Sequence, residues 1–150
     1  MTIPEFSLRP ATEADSALLL SLRNDPLTRA NSLNTELIHE TTHAKWLAAT
    51  LRDLSTRLYI FERDGVAVGM GRLTRGPQAH VDVSLALLPE VRGHGYATIV
   101  IEMLLKVATG WTVTTAHAIC RADNIPSLRA FLSQGFSLEQ SIVLLRKELP

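Results

Sequence analysis

The chain has 150 residues, 46% hydrophobic and 20% charged, the length and composition of one globular domain with its own core. Lys and Arg number 15, as do Asp and Glu, for a formal charge of zero. That balance excludes a broad attraction to nucleic acid or an anionic membrane and leaves room only for a local basic site. Cys120 is the single cysteine, so no internal disulfide forms and a reducing compartment fits. The opening "MTIPEFSLRP" lacks the basic and apolar regions of a signal peptide, and no run reaches the ~18 apolar residues of a membrane span. The expectation is one cytoplasmic domain over residues 1–150.

Phe6 to Arg9 alternates and halts at Pro10, which predicts a first strand. Thr12 with Asp15 three residues on resembles a capping box. Leu18, Leu19 and Leu22 give the following helix an apolar face, and Asp25-Pro26 ends it. Residues 27–38 lack periodicity and read as a polar loop with room for a helical turn. A second helix is predicted over Thr42 to Arg52, with Trp46, Leu47 and Leu51 on one side and Thr41 or Thr42 as its cap. Leu58 to Glu62 and Val66 to Leu73 form a hairpin about Asp64-Gly65. Gly69 and Gly71 inside the second strand predict a bulge or a close backbone approach. After the turn at Gly76-Pro77, His80 to Leu88 alternates, with Val81, Val83, Leu85 and Leu87 on one face and His80, Asp82, Ser84 and Ala86 on the other. A helix over Gly95 to Ala108, a strand over Thr114 to Arg121, a helix over Pro126 to Gln134 stopped by Gly135, and a strand over Ser141 to Glu148 complete the chain. Three middle strands in an antiparallel meander, then a strand-helix-strand unit that makes the next pair parallel, give an α+β architecture: a mixed sheet with helices packed on it.

The stretch "PEVRGHGYATIVI" lies between that alternating strand and a helix. A helix N-terminus offers unpaired N–H groups and the positive end of the dipole, and glycines let a phosphate come close to them. Arg92-Gly93-His94-Gly95-Tyr96-Ala97 is therefore a candidate polyphosphate cradle. It lacks the Gly-Lys-Ser/Thr ending of a Walker loop. It also has Thr98 where a dinucleotide fingerprint has its third glycine.

Arg92, Gly95 and Ala97 match the Gln/Arg-x-x-Gly-x-Gly/Ala pattern of the coenzyme A pyrophosphate loop of the GNAT superfamily, the GCN5-related N-acetyltransferases. "FSLRPATEAD" resembles the opening of that family, and "ADNIPSLRAFLSQGF" its closing helix. The resemblance covers nearly the whole chain. It implies the GNAT fold, a central, mostly antiparallel mixed sheet of six to seven strands flanked by about four helices. The implied activity is direct acetyl transfer from acetyl-CoA to an amine. By the same resemblance the pantetheine arm lies along the backbone of Leu85, Ala86 and Leu87. The pyrophosphate sits on Arg92, Gly93, His94, Gly95, Tyr96 and Ala97. Asn124, Ser127 and Phe131 face the cofactor from the last helix. Dimers are common in the superfamily, so a homodimer is admitted.

The amine must be neutral to attack, the oxyanion needs a donor such as a backbone N–H of residues 85–87, and the thiolate must leave. Many members carry a tyrosine seven residues after the asparagine as the acid for that last step. Here the position is Phe131, which donates no proton; a thiol pKa of about 8.5 makes the thiolate a fair leaving group unaided. Asp82, then His80, is the candidate base, sharing a strand face with Ser84. His94 suits binding or solvent, while His117 and Cys120 suit structural roles.

"HETTH" at residues 39–43 matches the zinc-peptidase pattern H-E-x-x-H. Adjacent β-branched threonines favour a cap over a helix interior, and no further ligand pattern follows, so no metal is expected. The surrounding "RNDPLTRANSLNTELIHETTHAKWL" resembles the acceptor side of GNAT enzymes that acetylate nucleotide-linked amino sugars. The resemblance makes Arg29, Ser32, His43 and Trp46 substrate-binding candidates for a small-molecule amine. Three other readings stay open: an amino-acid or peptide N-terminus as acceptor, a fold of this class that binds acyl-CoA without turnover, and, against the features just given, a zinc peptidase on the H-E-x-x-H pair.

Overall fold

The computed structural model describes residues 2–140 together with 146 and 147. Five strands form one sheet in the order β1-β2-β3-β4-β5. They are β1 (Phe6–Pro10), β2 (Thr56–Arg63), β3 (Val66–Gly76), β4 (His80–Leu87) and β5 (Thr115–His117). The first three junctions are antiparallel and the last is parallel. The helices are α1 (Ser16–Asn24), α2 (Pro26–Ala30), α3 (Glu40–Arg52), α4 (Tyr96–Thr109) and α5 (Ile125–Ser133). The mixed α+β class is as expected. Six to seven strands were expected and the described residues hold five; the strand expected over Ser141 to Glu148 lies outside them apart from 146 and 147, which are in no regular element.

The sheet separates two apolar layers. On one side, Leu58 and Ile60 of β2 meet Leu19 and Leu47 from α1 and α3, with Ala11. On the other, Phe61, Leu73, Val81 and Val83 meet Val100, Ile101 and Leu104 of α4 and Ala130 and Phe131 of α5. The alternation along β2 and β4 dictates this split, because successive side chains point to opposite faces. Gly71 sets the spacing on the second side: a Cβ there would lie 2.9 Å from both methyls of Leu104. At Gly69 a Cβ would lie 2.6 Å from the carbonyl oxygen of Ala86. Both glycines are close-approach residues, and the register shift between Phe61 and Glu62 supplies the bulge. Asp64 and Gly65 both have positive φ (50° and 77°), the signature of the tight hairpin expected there.

Three boundaries differ from expectation for physical reasons. Asp25-Pro26 both ends α1 and starts α2: the Asp25 carboxylate accepts from the Thr28 N–H and Pro26 occupies the first helical turn. The start of α3 falls earlier, with His39 as N-cap and both threonines inside the first turn. The strand expected over Thr114 to Arg121 is cut to Thr115–His117. Alternating exposure continues to Cys120, but the ladder to β4 ends at Asp82–His117.

Arg9, Asp15 and Glu62 tie β1 and β2 to the turn before α1. Arg9 donates to both Asp15 oxygens (2.9 and 2.8 Å) and to Glu62 (3.1 Å). Thr12 N–H donates to Asp15 (2.8 Å), completing the capping box. The Arg9 guanidinium holds the Asp15 carboxyl below its usual range against the opposing effect of burial. A depressed folded-state pKa contributes stability that is full above the unfolded value of about 3.9 and is lost as pH falls through the folded one. Asp15→Ala is expected to lower unfolding free energy by about 1–3 kcal/mol, measured by urea denaturation at pH 7. The difference from wild type should shrink toward pH 2; a constant difference would contradict the assignment.

Candidate active site

Strand β4 is paired with β3 along its whole length, from Gly76–His80 to Gly69–Leu87. Its other edge is paired with β5 only at residues 80–82. From Val83 to Leu87 that edge has no strand beside it among the described residues, so main-chain donors and acceptors from Ser84 to Leu87 are presented at a half-buried position. The expected residues Leu85, Ala86 and Leu87 lie on this stretch. The Leu87 carbonyl accepts from Arg92 Nη2 at 3.0 Å.

Beyond the strand, Pro89–Val91 makes a 3-10 turn and the chain reaches the glycine loop. Gly93 and Gly95 have φ of 79° and 77°, and the Cβ direction of each is open space within 4 Å. Gly95 is the N-cap of α4 and no side chain caps the helix. The N–H groups of its first turn, Tyr96, Ala97 and Thr98, therefore lack intrahelical acceptors. An open cradle, an uncapped 14-residue helix and a free strand edge leading to it suit a pyrophosphate with an extended amide-bearing arm. The Tyr96 ring packs edge-on against Phe6 at 5.1 Å and fixes the helix start to the sheet. His94 is exposed, 5.8 Å from Tyr96.

Arg92 has partners within the protein. Its Nη2 donates to Asp25 (2.6 Å), to Thr28 Oγ1 (3.2 Å) and to Leu87 O, because the α1–α2 junction sets a carboxylate beside it. Burial pushes the Asp25 carboxyl up, but the Thr28 N–H and Arg92 outweigh it and the pKa is lowered. Asp25 was legible only as a helix stop; its side chain was the missed partner.

The last helix also gives its candidates partners within the protein. Asn124 Oδ1 accepts from the Ser127 N–H as the N-cap of α5. Phe131 is 7% exposed, lies in the core and meets Phe136 edge-on at 5.0 Å, so its side chain serves packing rather than cofactor contact. Ser127 is half-buried and its hydroxyl partners Cys120, whose thiol burial pushes up.

On the opposite sheet face β4 presents His80, Asp82 and Ser84, with Arg72 opposite Ser84 on β3. Burial pulls the Arg72 pKa down and the Asp82 charge partly restores it. Arg72 was missed, although a lone arginine inside an apolar strand was a readable signal. His80 Nε2 is 3.3 Å from Asp82 Oδ1, and the His80 and His117 rings stack at 4.3 Å. The acceptor-side candidates do not converge as expected. Arg29 Nε donates to Thr35 O (3.1 Å) and Ser32 Oγ to Thr28 O (2.6 Å), which braces α2 and its loop. His43 is 3% exposed, a core residue rather than a ligand contact. Trp46, 37% exposed, lies beside it at 5.3 Å. His39 sits outside the helix and is exposed while His43 is buried, so the H-E-x-x-H pair does not face a common ion.

The family model for the GNAT acetyltransferase domain matches residues 5–137. No curated protein matches the chain. Among solved structures, the chain is similar to a ribosomal-protein-alanine N-acetyltransferase from Brucella melitensis, at 28% identity and TM-score 0.74 over 87% of this chain and 84% of that one. A spermidine N-acetyltransferase from Vibrio cholerae in complex with CoA and spermine has TM-score 0.83 at 16% identity, over 90% and 82%. An aminoglycoside acetyltransferase in complex with coenzyme A has TM-score 0.78 at 17% identity, over 90% and 86%.

Two outcomes are expected. Gly95→Ala places a side chain at positive φ, a strain of roughly 1–2 kcal/mol, and should weaken CoA binding about 5- to 30-fold by calorimetry; unchanged affinity would remove the loop from the cofactor site. Burial lowers the His43 pKa, so below about 6.5 the unfolded chain takes up a proton that the folded chain refuses, and stability drops as the pH is lowered. His43→Leu should abolish that part of the slope in denaturation midpoints between pH 7 and 5, and removes a buried Nδ1 without a hydrogen-bond partner among the described residues.

Proposed function

The chain belongs to the GNAT acetyltransferase family and is an acetyl-CoA-dependent N-acetyltransferase, and from that premise we propose that its acceptor is the primary amine of a small molecule, an amino sugar carried on a nucleotide. The observation that carries the cofactor half is the unpaired β4 edge ending at the glycine loop. Acetyl-CoA supplies a thioester carbonyl there. In this reading the N–H groups of Tyr96 to Thr98 hold the pyrophosphate, and Arg92 braces the loop against Asp25. The free edge at Leu85 to Leu87 takes the pantetheine amides, and one N–H of that stretch faces the carbonyl oxygen. Asn124 and Ser127 border the same cleft from the start of α5.

Asp82, with His80, takes the proton of the amine through water. Support comes from their shared face, remote from the α4 side. The raised Cys120 pKa argues against a thiolate carrier, so transfer is direct. The acceptor half rests on the α2–α3 side, where Arg29 and Trp46 remain partly accessible: a cation for a phosphate and a ring for a sugar face. A peptide N-terminus is the second reading, favoured by the Brucella neighbour at 28% identity and by exposed Leu27, Leu33 and Leu37 along the same rim. A cytoplasmic setting suits the lone cysteine. No helix among the described residues is long and apolar enough to cross a membrane.

The test is release of free CoA thiol over nucleotide-linked amino sugars, simple amino sugars, polyamines, amino acids and peptide N-termini. Highest kcat/KM on the nucleotide-linked sugars is expected; preference for peptides or polyamines would overturn the acceptor assignment. Asp82→Asn should lower kcat about 100-fold or more with CoA affinity unchanged; full turnover would remove Asp82 as base.

A further inference from the structure

The parallel register sets Asp82 opposite His117, and alternation along β4 returns His80 to the same face. One donor atom from each of His80, Asp82 and His117 lies within 4.8 Å of the other two. His80 is fixed. Its ring is 14% exposed, its Nδ1 bonds the Pro77 carbonyl, and it occupies the space that a side chain at Gly76 would fill, since a Cβ there would overlap the imidazole.

The Pro77 bond decides the tautomer. A carbonyl only accepts, so Nδ1 carries the proton, and in the neutral ring Nε2 carries a lone pair. That lone pair faces Asp82 Oδ1 at 3.3 Å, which is also an acceptor. Two acceptors at this distance repel unless a proton on Nε2 or a metal cation lies between them. A histidine whose far nitrogen is anchored to a backbone carbonyl while the near one is bare is the arrangement by which proteins orient metal-binding imidazoles. His117 adds the third donor. Its ring is stacked on His80 with 20° between planes, and being exposed it has the freedom to swing its nitrogen toward the point that His80 and Asp82 already address.

We propose that His80, Asp82 and His117 form a binding site for a first-row divalent cation, Zn2+ foremost. Two imidazoles and one carboxylate select borderline ions such as Zn2+, Co2+ and Ni2+ over Mg2+ or Ca2+, which require more oxygen ligands. Three protein ligands leave a fourth position to water. Asp82 is half exposed, its side chain at 52%, so the ion enters from solvent without unfolding. Where Asp82 serves as the base, a clause that rests on the reading above, the ion takes the same lone pairs and inhibits acetyl transfer.

The test uses the full chain without an affinity tag, stripped with chelator. Calorimetric titration with ZnCl2 should show one ion per chain, and Co2+ should develop visible absorption of a four- or five-coordinate site. His117→Gln, at an exposed position, and Gly76→Ala, which displaces the His80 ring, should each weaken Zn2+ binding at least about tenfold while far-UV circular dichroism stays native. His39→Ala should bind as wild type does. Absence of stoichiometric binding at 100-fold excess metal, or equal affinity in wild type and His117→Gln, would overturn the site. Thiol release with and without Zn2+ is read separately: inhibition in wild type that is lost in His117→Gln supports the shared lone pairs, whereas binding without inhibition overturns the inhibitory clause and counts against Asp82 as base, leaving the metal site standing.

Discussion

A β-strand must satisfy its backbone on both edges, and β4 meets that demand on only one. It is paired with β3 throughout but with β5 at three positions alone. Those three pairs hold the two strands together at one end; past Asp82 and His117 the ladder stops and, among the described residues, the edge of β4 is left without a strand. The groups that matter are placed by that parting. The free edge starts where the ladder ends, the glycine loop follows where β4 ends, and α4 and α5 close over the apolar face behind it. Had the ladder run on to Cys120, the sheet would be more regular and the edge of β4 would be closed.

Charge organises the opposite end of the same strand and ties the site to its surroundings. Arg92 reaches from the loop to Asp25 at the α1–α2 junction and to the carbonyl that ends β4. One guanidinium thereby joins the strand end, the turn and the helix pair on the other side of the sheet. Asp25 and Thr28 are positioned by local capping chemistry, so a signal that begins as a helix start becomes a tertiary contact. Arg9, Asp15 and Glu62 do the same at the first strand. In both places a carboxylate that caps a turn also pairs with an arginine from the sheet or its loop.

The parts of the fold that depend on near neighbours in sequence were readable. The hairpin at Asp64-Gly65, the capping box at Thr12 and Asp15, and the alternation through β4 are local rules, and they hold. The glycines at 69 and 71 announced a close approach without saying to what. What could not be read depends on partners far along the chain. The strand expected over Thr114 to Arg121 holds only at Thr115–His117, because whether such a segment is a strand is decided by the edge it meets. The Asp25 partner of Arg92 could not be read because it lies 67 residues away. Phe131 and His43 are buried by elements that their own flanks do not mention. Asp82 and His80 were found from period-2 placement, but the approach of His117 required the parallel register between β4 and β5.

Gly71 lies in the sheet beneath α4, the helix that follows the glycine loop. The Leu104 methyls rest where its side chain would be, so the separation of α4 from the sheet is fixed by a hydrogen atom in β3. Any larger residue there acts as a wedge under the helix, and a rigid helix converts a wedge at its middle into tilt at its ends. The end nearest the β4 edge carries the glycine loop. A substitution at a position that offers no chemistry of its own is thereby felt at the helix end that carries the glycine loop.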